Sequence, residues 1–259
     1  MAKDSLSADT IKRGLETRFI GQRVLYHPSV TSTMEIARRE ARQGAAEGTL
    51  VVAGEQTVGR GRSKHVWLTP EGNIALSLIL HPGLSCLPSL IMLASLAVAR
   101  SIERVTGLSP QVKWPNDILI NGKKVCGILI ESDVQGSTVN YTIIGIGINV
   151  NLKPADFAEI REIATSLSYE LGQEVSYLSM LRCLLTELES LYLLLLSGGS
   201  LYEEWRAKLV TLGKKVRVIS GDTVQEGIAE EVTRDGGLLL RRPDGEFTRI
   251  VAGETSSID

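Results

Sequence analysis

Two rhythms organise the apolar positions along this chain. Short apolar runs bounded by Gly, Pro and Asn predict strands at residues 24–26, 49–53, 74–80 and 141–150. Helical spacing predicts helices at 8–16, from 32 to about 43, and at 89–105, 177–196 and 201–209, with a polar-faced one at 154–171. Ser32 with Glu35, and Ser200 with Glu203, read as capping boxes in which the serine hydroxyl accepts from the third amide and the glutamate reaches back. Gly44, Gly107 and the Gly198-Gly199 pair stand where helices end. Asn121-Gly122 between two apolar runs marks a two-residue hairpin turn. From Gly213 the texture changes to short alternating segments separated by Gly-Asp, Asp-Gly-Gly and Pro-Asp-Gly turns. That pattern predicts a small all-β unit, too small to be robust alone and so docked on the larger part.

Composition narrows the class. At 259 residues with 43% hydrophobic and 22% charged residues, the chain has material for a sizeable core and divides into 1–212 and 213–259. Its net charge of −2 carries no basic excess, so any phosphate chemistry is local, and a protein living by nucleic-acid contact is disfavoured. No uninterrupted apolar run approaches the ~20 residues of a membrane span. The polar N-terminus lacks the apolar centre of a signal peptide. Three cysteines, Cys86, Cys126 and Cys183, lie far apart without CxxC spacing and read as reduced thiols of a cytoplasmic protein. His27, His65 and His81 have no metal-ligand spacing, which argues against a protein-bound metal.

Three segments carry chemistry. The loop 54–65 alternates glycine with Arg60 and Arg62. It reads either as a grip on phosphate or carboxylate, or as a solvated basic turn. It is not a Walker A sequence, because no Gly-Lys-Ser/Thr follows. In the hairpin, a two-residue turn sets Leu119 opposite Lys124 and Asp117 opposite Cys126, so Asp117, Leu119, Lys124 and Cys126 share one face. Asp117 and Lys124 are then diagonal neighbours roughly 7–8 Å apart, near enough for long side chains to meet. Lys124 is either held at that carboxylate or snorkels outward. In the run Gly145-Ile146-Gly147-Ile148-Asn149, both glycines and Asn149 face one way. The bare backbone suits either a flat ligand or a closely packed element.

Together Gly59-Arg60-Gly61-Arg62, Trp67, Lys113-Trp114-Pro115-Asn116-Asp117, Lys124 with Gly127-Ile128-Leu129, and Gly145 to Asn149 closely resemble the biotin–protein ligases in order and separation, over about residues 5–255. The resemblance implies an α+β fold. Its catalytic domain has a mixed sheet related to class II aminoacyl-tRNA synthetases and lipoate ligases, and a C-terminal SH3-like barrel follows. It implies two steps, in which biotin and ATP with Mg²⁺ give biotinyl-5′-adenylate, and the biotinyl group then passes to a lysine of a biotin carboxyl carrier protein domain. By motif match Ser32, Thr33, Gln56, Arg60, Lys124, Gly145 and Gly147 contact biotin. Arg62, Trp67, Lys124 and Asn149 meet the adenylate. Lys124, Arg62 and Asp117 are the catalytic set, with Asp117 either orienting Lys124 or placing the incoming amine. This chain has Met34 where many members have Asn, and Ser63, Lys64 and His65 where the loop is often richer in arginine. The stretch before residue 24 is too short for the winged helix-turn-helix some members carry, so the ligase-only type is expected. A homodimer paired through a sheet edge is in keeping with the family. A lipoate–protein ligase shares the sheet and adenylation chemistry but not these motifs. A nucleic-acid module using the basic loop is opposed by the charge.

Overall fold

The computed structural model describes residues 6–59, 61, 67 and 69–258. Its larger sheet has seven strands: β1 (Val24–Val30), β2 (Leu50–Gln56), β3 (Ile74–Leu80), β4 (Gln111–Lys113), β5 (Asp117–Ile120), β6 (Lys123–Gln135) and β7 (Thr138–Ile148). They lie in the order β1-β2-β3-β7-β6-β5-β4, with β1 and β2 parallel and every other pair antiparallel. The expected α+β class with a mixed sheet is the one observed.

The helices are α1 (Ala8–Lys12), α2 (Thr33–Arg42), α3 (Leu90–Thr106), α4 (Leu167–Leu171), α5 (Tyr177–Leu196) and α6 (Tyr202–Ala207). The two faces of the sheet are covered unequally. Ile144, Ile146 and Ile148 of β7, with Cys126 and Ile128 of β6, point into the main core beneath α3 and α5. The opposite face is covered by α2 alone, which packs Met34, Ala37 and Ala41 against Val51, Ile79 and Ile143. α2 packs chiefly on β2, β3 and β7 and meets β6 through Leu129 and the Arg38–Glu131 ion pair, so among the described residues helical cover thins out towards β5.

The segment Leu84–Thr106 is long and apolar enough to cross a membrane by length and composition. Inspection of uninterrupted runs misses it, because Ser89, Ser95 and Arg100 break them. Its apolar residues are spent on the core: Leu90, Met92, Leu93, Leu96, Val98 and Ile102 are all buried.

Several local expectations are revised. Residues 154–171 do not form one helix. A short 3₁₀ turn, Pro154–Asp156, and α4 are separated by chain that runs beside β6, where Lys124 N donates to Ile163 O and Thr165 N donates to Lys124 O, 2.9 Å each. Ladder bonds there outcompete helical ones. Ser32 does stand at the N-cap of α2, but its hydroxyl makes no capping bond, and Glu35 instead accepts from Thr31 Oγ1 at 3.1 Å. The N-cap of α6 is Leu201, and the Ser200 hydroxyl accepts from Tyr202 N. The first helix is shorter than its period suggests, while β1 and β2 run on to Val30 and Gln56.

The smaller sheet contains β8 (Lys215–Ser220), β9 (Thr223–Val232), β10 (Leu238–Arg241), β11 (Phe247–Ile250) and β12 (Glu254–Ser257), all antiparallel in the order β11-β10-β9-β8-β12. It grips one residue of the larger sheet's terminal loop. Trp114, 1% exposed, donates from its backbone N to Thr211 Oγ1 (2.9 Å) and from Nε1 to Gly236 O (2.9 Å), and its carbonyl accepts from Thr255 Oγ1 (2.6 Å). Each polar atom of a buried tryptophan is thereby satisfied, which lets the indole serve as apolar anchor without a desolvation penalty.

Glu189 of α5 is 6% exposed and accepts from the backbone N of Arg18 (2.6 Å), Phe19 (2.9 Å) and Ile20 (3.0 Å). Truncation removes the charged acceptor of three consecutive amides, strands that of Ile20 in the interior and leaves those of Arg18 and Phe19 partly buried. Glu189→Ala is therefore expected to lower stability by roughly 3 kcal/mol in urea unfolding, since bonds to a charged acceptor are strong and their buried donors costly to orphan. A change below about 1 kcal/mol would contradict this.

Candidate active site

The thinly covered part of the sheet is floored by two rows of residues crossing the strands. In the first row Lys113 of β4 pairs with Asp117 of β5, Asp117 with Gly127 of β6, Gly127 with Gly147 of β7, and Gly147 with Ala75 of β3. In the second, Leu129 pairs with Gly145 and Gly145 with Ser77. The rows are two positions apart along β3, β6 and β7, so both lie on one face. That face bounds a cavity of about 680 Å³, within the range of small-molecule and cofactor sites.

The missing side chains have a geometric purpose. A Cβ on Gly147 would stand 2.2 Å from Trp67 Nε1, and one on Gly127 3.1 Å from Trp67 Cζ3. A Cβ on Gly145 would meet Met34 Sδ at 2.6 Å. Trp67 and Met34 therefore lie directly on backbone that any larger residue would hold away.

The hairpin register departs from expectation by one residue. Leu119 does oppose Lys124, but a bulge follows, so Ile118 opposes Cys126 and Asp117 opposes Gly127. The extra residue, Val125, is buried, and Cys126 is turned into the core rather than onto the ligand face. Bulges of this kind re-aim side chains locally. Burial drives the Cys126 thiol well above its usual range, with Lys124 opposing and Asp117 adding to the shift. That thiol is packing material. The predicted pairing of Lys124 with Asp117 is present: Nζ lies 2.6 Å from Asp117 Oδ1, and 5.3 Å from the centroid of the Trp67 ring. Lys124 thus sits between a carboxylate and an aromatic face, held over the floor.

At the other end of the cavity, Gln56 Oε1 accepts from Thr33 N (2.9 Å) and Thr33 Oγ1 (3.1 Å), Gln56 Nε2 donates to Thr69 Oγ1 (3.2 Å), and Ser77 Oγ donates to Thr33 Oγ1 (2.9 Å). Ser32 Oγ lies in the same wall, buried and with no hydrogen-bond partner among the described residues. An orphaned hydroxyl at a cavity surface is a standing cost that a polar ligand atom removes. Asn149, 3% exposed, donates from Nδ2 to Thr165 O (3.0 Å) and from N to Val125 O (2.8 Å), so its carboxamide also ties the 157–165 segment to the floor.

Ser32, Thr33, Gln56, Trp67, Asp117, Lys124, Gly145, Gly147 and Asn149 are thus brought to one cavity. Arg60 and Arg62 lie outside the described residues. Sequence inspection missed Ile160, Ile163 and Ala164, which wall the site beside Lys124, and Glu254 and Thr255 of β12. Nothing local marks the latter pair, because their position depends on how the small sheet docks. Lys113 was visible only as part of its motif. The arrangement offers an apolar floor, a fixed cation and a cluster of amide and hydroxyl groups at opposite ends, which suits a ligand with an anionic centre and a flat polar head.

Residues 26–149 match the Biotin/lipoate A/B protein ligase family, and residues 211–256 match the Biotin protein ligase C terminal domain. The chain is 40% identical over 246 residues to the Bifunctional ligase/repressor BirA of Bacillus subtilis (strain 168), covering 93% of this chain and 76% of that protein. It is 33% identical over 211 residues to the Biotin--[acetyl-CoA-carboxylase] ligase of Paracoccus denitrificans, covering 78% and 88% respectively. The structure resembles that of the biotin protein ligase from Aquifex aeolicus in complex with biotin and ATP, with a TM-score of 0.75 and 29% identity over 91% of this chain and 98% of that one. With both family models matched in order and relatives of this identity spanning most of its length, the chain belongs to the biotin protein ligase family of enzymes.

Proposed function

We propose that this protein activates biotin with ATP to form biotinyl-5′-adenylate and pyrophosphate, and then transfers the biotinyl group to a lysine of a biotin carboxyl carrier protein domain. The observation that carries this reading is the shared cavity: a cation fixed at 2.6 Å from Asp117 stands at one end of a glycine floor, and the Thr33–Gln56 cluster stands at the other. In this reading Ser32, Thr33 and Gln56 hold the polar head of biotin over Gly145. Trp67 and Asn149 flank the adenylate over Gly147, and by motif match Arg60 is assigned to biotin and Arg62 to the adenylate. Residues 1–212 carry the chemistry and 213–259 brace it. The three free cysteines support a reducing, cytoplasmic setting.

A carboxylate is a poor acyl electrophile, so it first attacks the α-phosphorus of ATP, which enters as its magnesium complex. Two anions must meet, and positioned positive charge supplies most of the help the protein can give. Lys124 is placed for that task, because Asp117 fixes its direction and Trp67 its height above the floor. The resulting mixed anhydride is destroyed by water, and the indole packed against Gly147 helps exclude it. In the second step the carrier lysine, once neutral, attacks the acyl carbon, and AMP leaves with the electron pair of the broken C–O bond.

Two variants test the reading. Lys124→Ala is expected to reduce ATP–pyrophosphate exchange with biotin by at least ~10³-fold while leaving the melting temperature near that of the parent; undiminished exchange sinks the assignment, and exchange driven better by lipoate than by biotin redirects it. In Gly147→Ala the new methyl must push the indole off the floor. It is expected to raise KM for ATP by roughly tenfold or more, about 1.4 kcal/mol per decade, with biotin binding measured by calorimetry little changed. Mass spectrometry of a carrier domain incubated with the protein, biotin and MgATP tests the transfer step itself.

A further inference from the structure

Lys113 is the one charged member of the first row to which the mechanism above gives no task. It lies on the same face as Asp117, directly opposite it across the β4–β5 ladder, and borders the cavity. It is partly exposed and has no ion pair among the described residues. Its backbone neighbour is Trp114, whose N–H, carbonyl and indole N–H are all tied to residues 211, 255 and 236. A flexible lysine thus springs from one of the most constrained backbone positions in the cavity wall.

Displacement at phosphorus gives this position a meaning. The attacking and leaving oxygens stand roughly in line on opposite sides of the phosphorus. The Thr33–Gln56 cluster lies on the β2–β3 side of the floor and Lys124 over β6, so a carboxylate reaching Lys124 travels from β3 towards β6. The leaving group must then depart in the continuing direction, over β5 and β4. Strands lie ≈ 4.8 Å apart, so β4 is about 10 Å beyond β6, a distance a lysine and a pyrophosphate chain together span. The only other charge in the row is the Asp117 carboxylate, already committed to Lys124.

We propose that Lys113 is a second phosphate-binding cation, which holds the β- and γ-phosphates of ATP in line and stabilises the departing pyrophosphate. This rests on the adenylation reading above. In the step, a biotin carboxylate oxygen forms a bond to the α-phosphorus. The bond from that phosphorus to the bridging oxygen breaks, and pyrophosphate leaves with the electron pair. Lys113 remains protonated throughout and contributes charge alone.

Because pyrophosphate is absent from the second step, the two half-reactions separate this role from a structural one. Lys113→Met is expected to lower ATP–pyrophosphate exchange about a hundredfold. Single-turnover transfer from synthetic biotinyl-5′-adenylate to a carrier domain should remain within about twofold of the parent. Lys113→Arg should recover a large part of the exchange. Undiminished exchange in Lys113→Met overturns the proposal, and so does a parallel fall in both half-reactions, which marks a general disturbance of the wall. If the parent protein itself shows no exchange with biotin, the adenylation reading fails instead, and that result is distinct from either.

Discussion

A β-sheet with both faces apolar must bury both, and this one has helices enough for one and a half. That shortage shapes the molecule. The face under α3 and α5 is closed by isoleucine and leucine, whereas on the other α2 packs mainly on β2, β3 and β7 and touches β6 only at Leu129 and Glu131. Left apolar, the β5–β6 half would be an exposed hydrophobic surface, with the association hazards such patches bring. The chain instead removes side chains beside it, with Gly127 of β6 and Gly145 and Gly147 of β7 adjoining Ala75 and Ser77 of β3. It lays Trp67 and Met34 on the bared backbone, and the space that remains is the cavity.

Charge placement follows from the same floor. Lys124 on an apolar strand face would incur a desolvation cost with no return, and an exposed lysine–aspartate pair contributes little to stability. A pair that is only partly buried, at 33% and 21% side-chain exposure, lies between these limits. Its energetic value to the fold is small, and its geometric value is large: the carboxylate fixes where the ammonium points. The bulge at Val125 makes this geometry available. Without it, Cys126 would face Asp117 across the ladder, and Asp117 would fall out of line with the Gly127–Gly147 row beneath Trp67.

Much of this was legible in the chain and some was not, for identifiable reasons. Long elements with a strong period, such as Tyr177–Leu196 and Ile74–Leu80, were read to the residue, because burial on one side imposes the period. The pairing of Asp117 with Lys124 was legible because Asn121-Gly122 fixes the turn, but the next register step was not, since a bulge leaves no compositional mark. Residues 154–171 were misread as a continuous helix, because their local turns are interrupted where Ile163, Thr165, Leu167 and Ser168 bond to Lys124, Asn149 and Val150, partners chosen by tertiary contact. Ser32 was assigned a capping role on local grounds. Its hydroxyl is instead left at the cavity wall with no partner among the described residues, and departures from local rules concentrate at functional sites.

The small sheet takes its place in this scheme through Trp114. Between Lys113 and Asp117 the chain must turn at the edge of the larger sheet, where β4 has only three residues and little ladder to hold it. A short edge strand frays easily, and fraying there would let Asp117 drift from Lys124. Thr211, Gly236 and Thr255 remove that freedom by taking up every polar atom of the intervening tryptophan, while Val112 pairs with Lys208 and Val210 on its outer side. The bracing comes from segments about a hundred residues or more later in the chain, and β12 itself borders the cavity. The two sheets are therefore coupled at the one loop where the site's charges are set, so the precision of the Lys124–Asp117 geometry depends on a unit that contributes few side chains to the site.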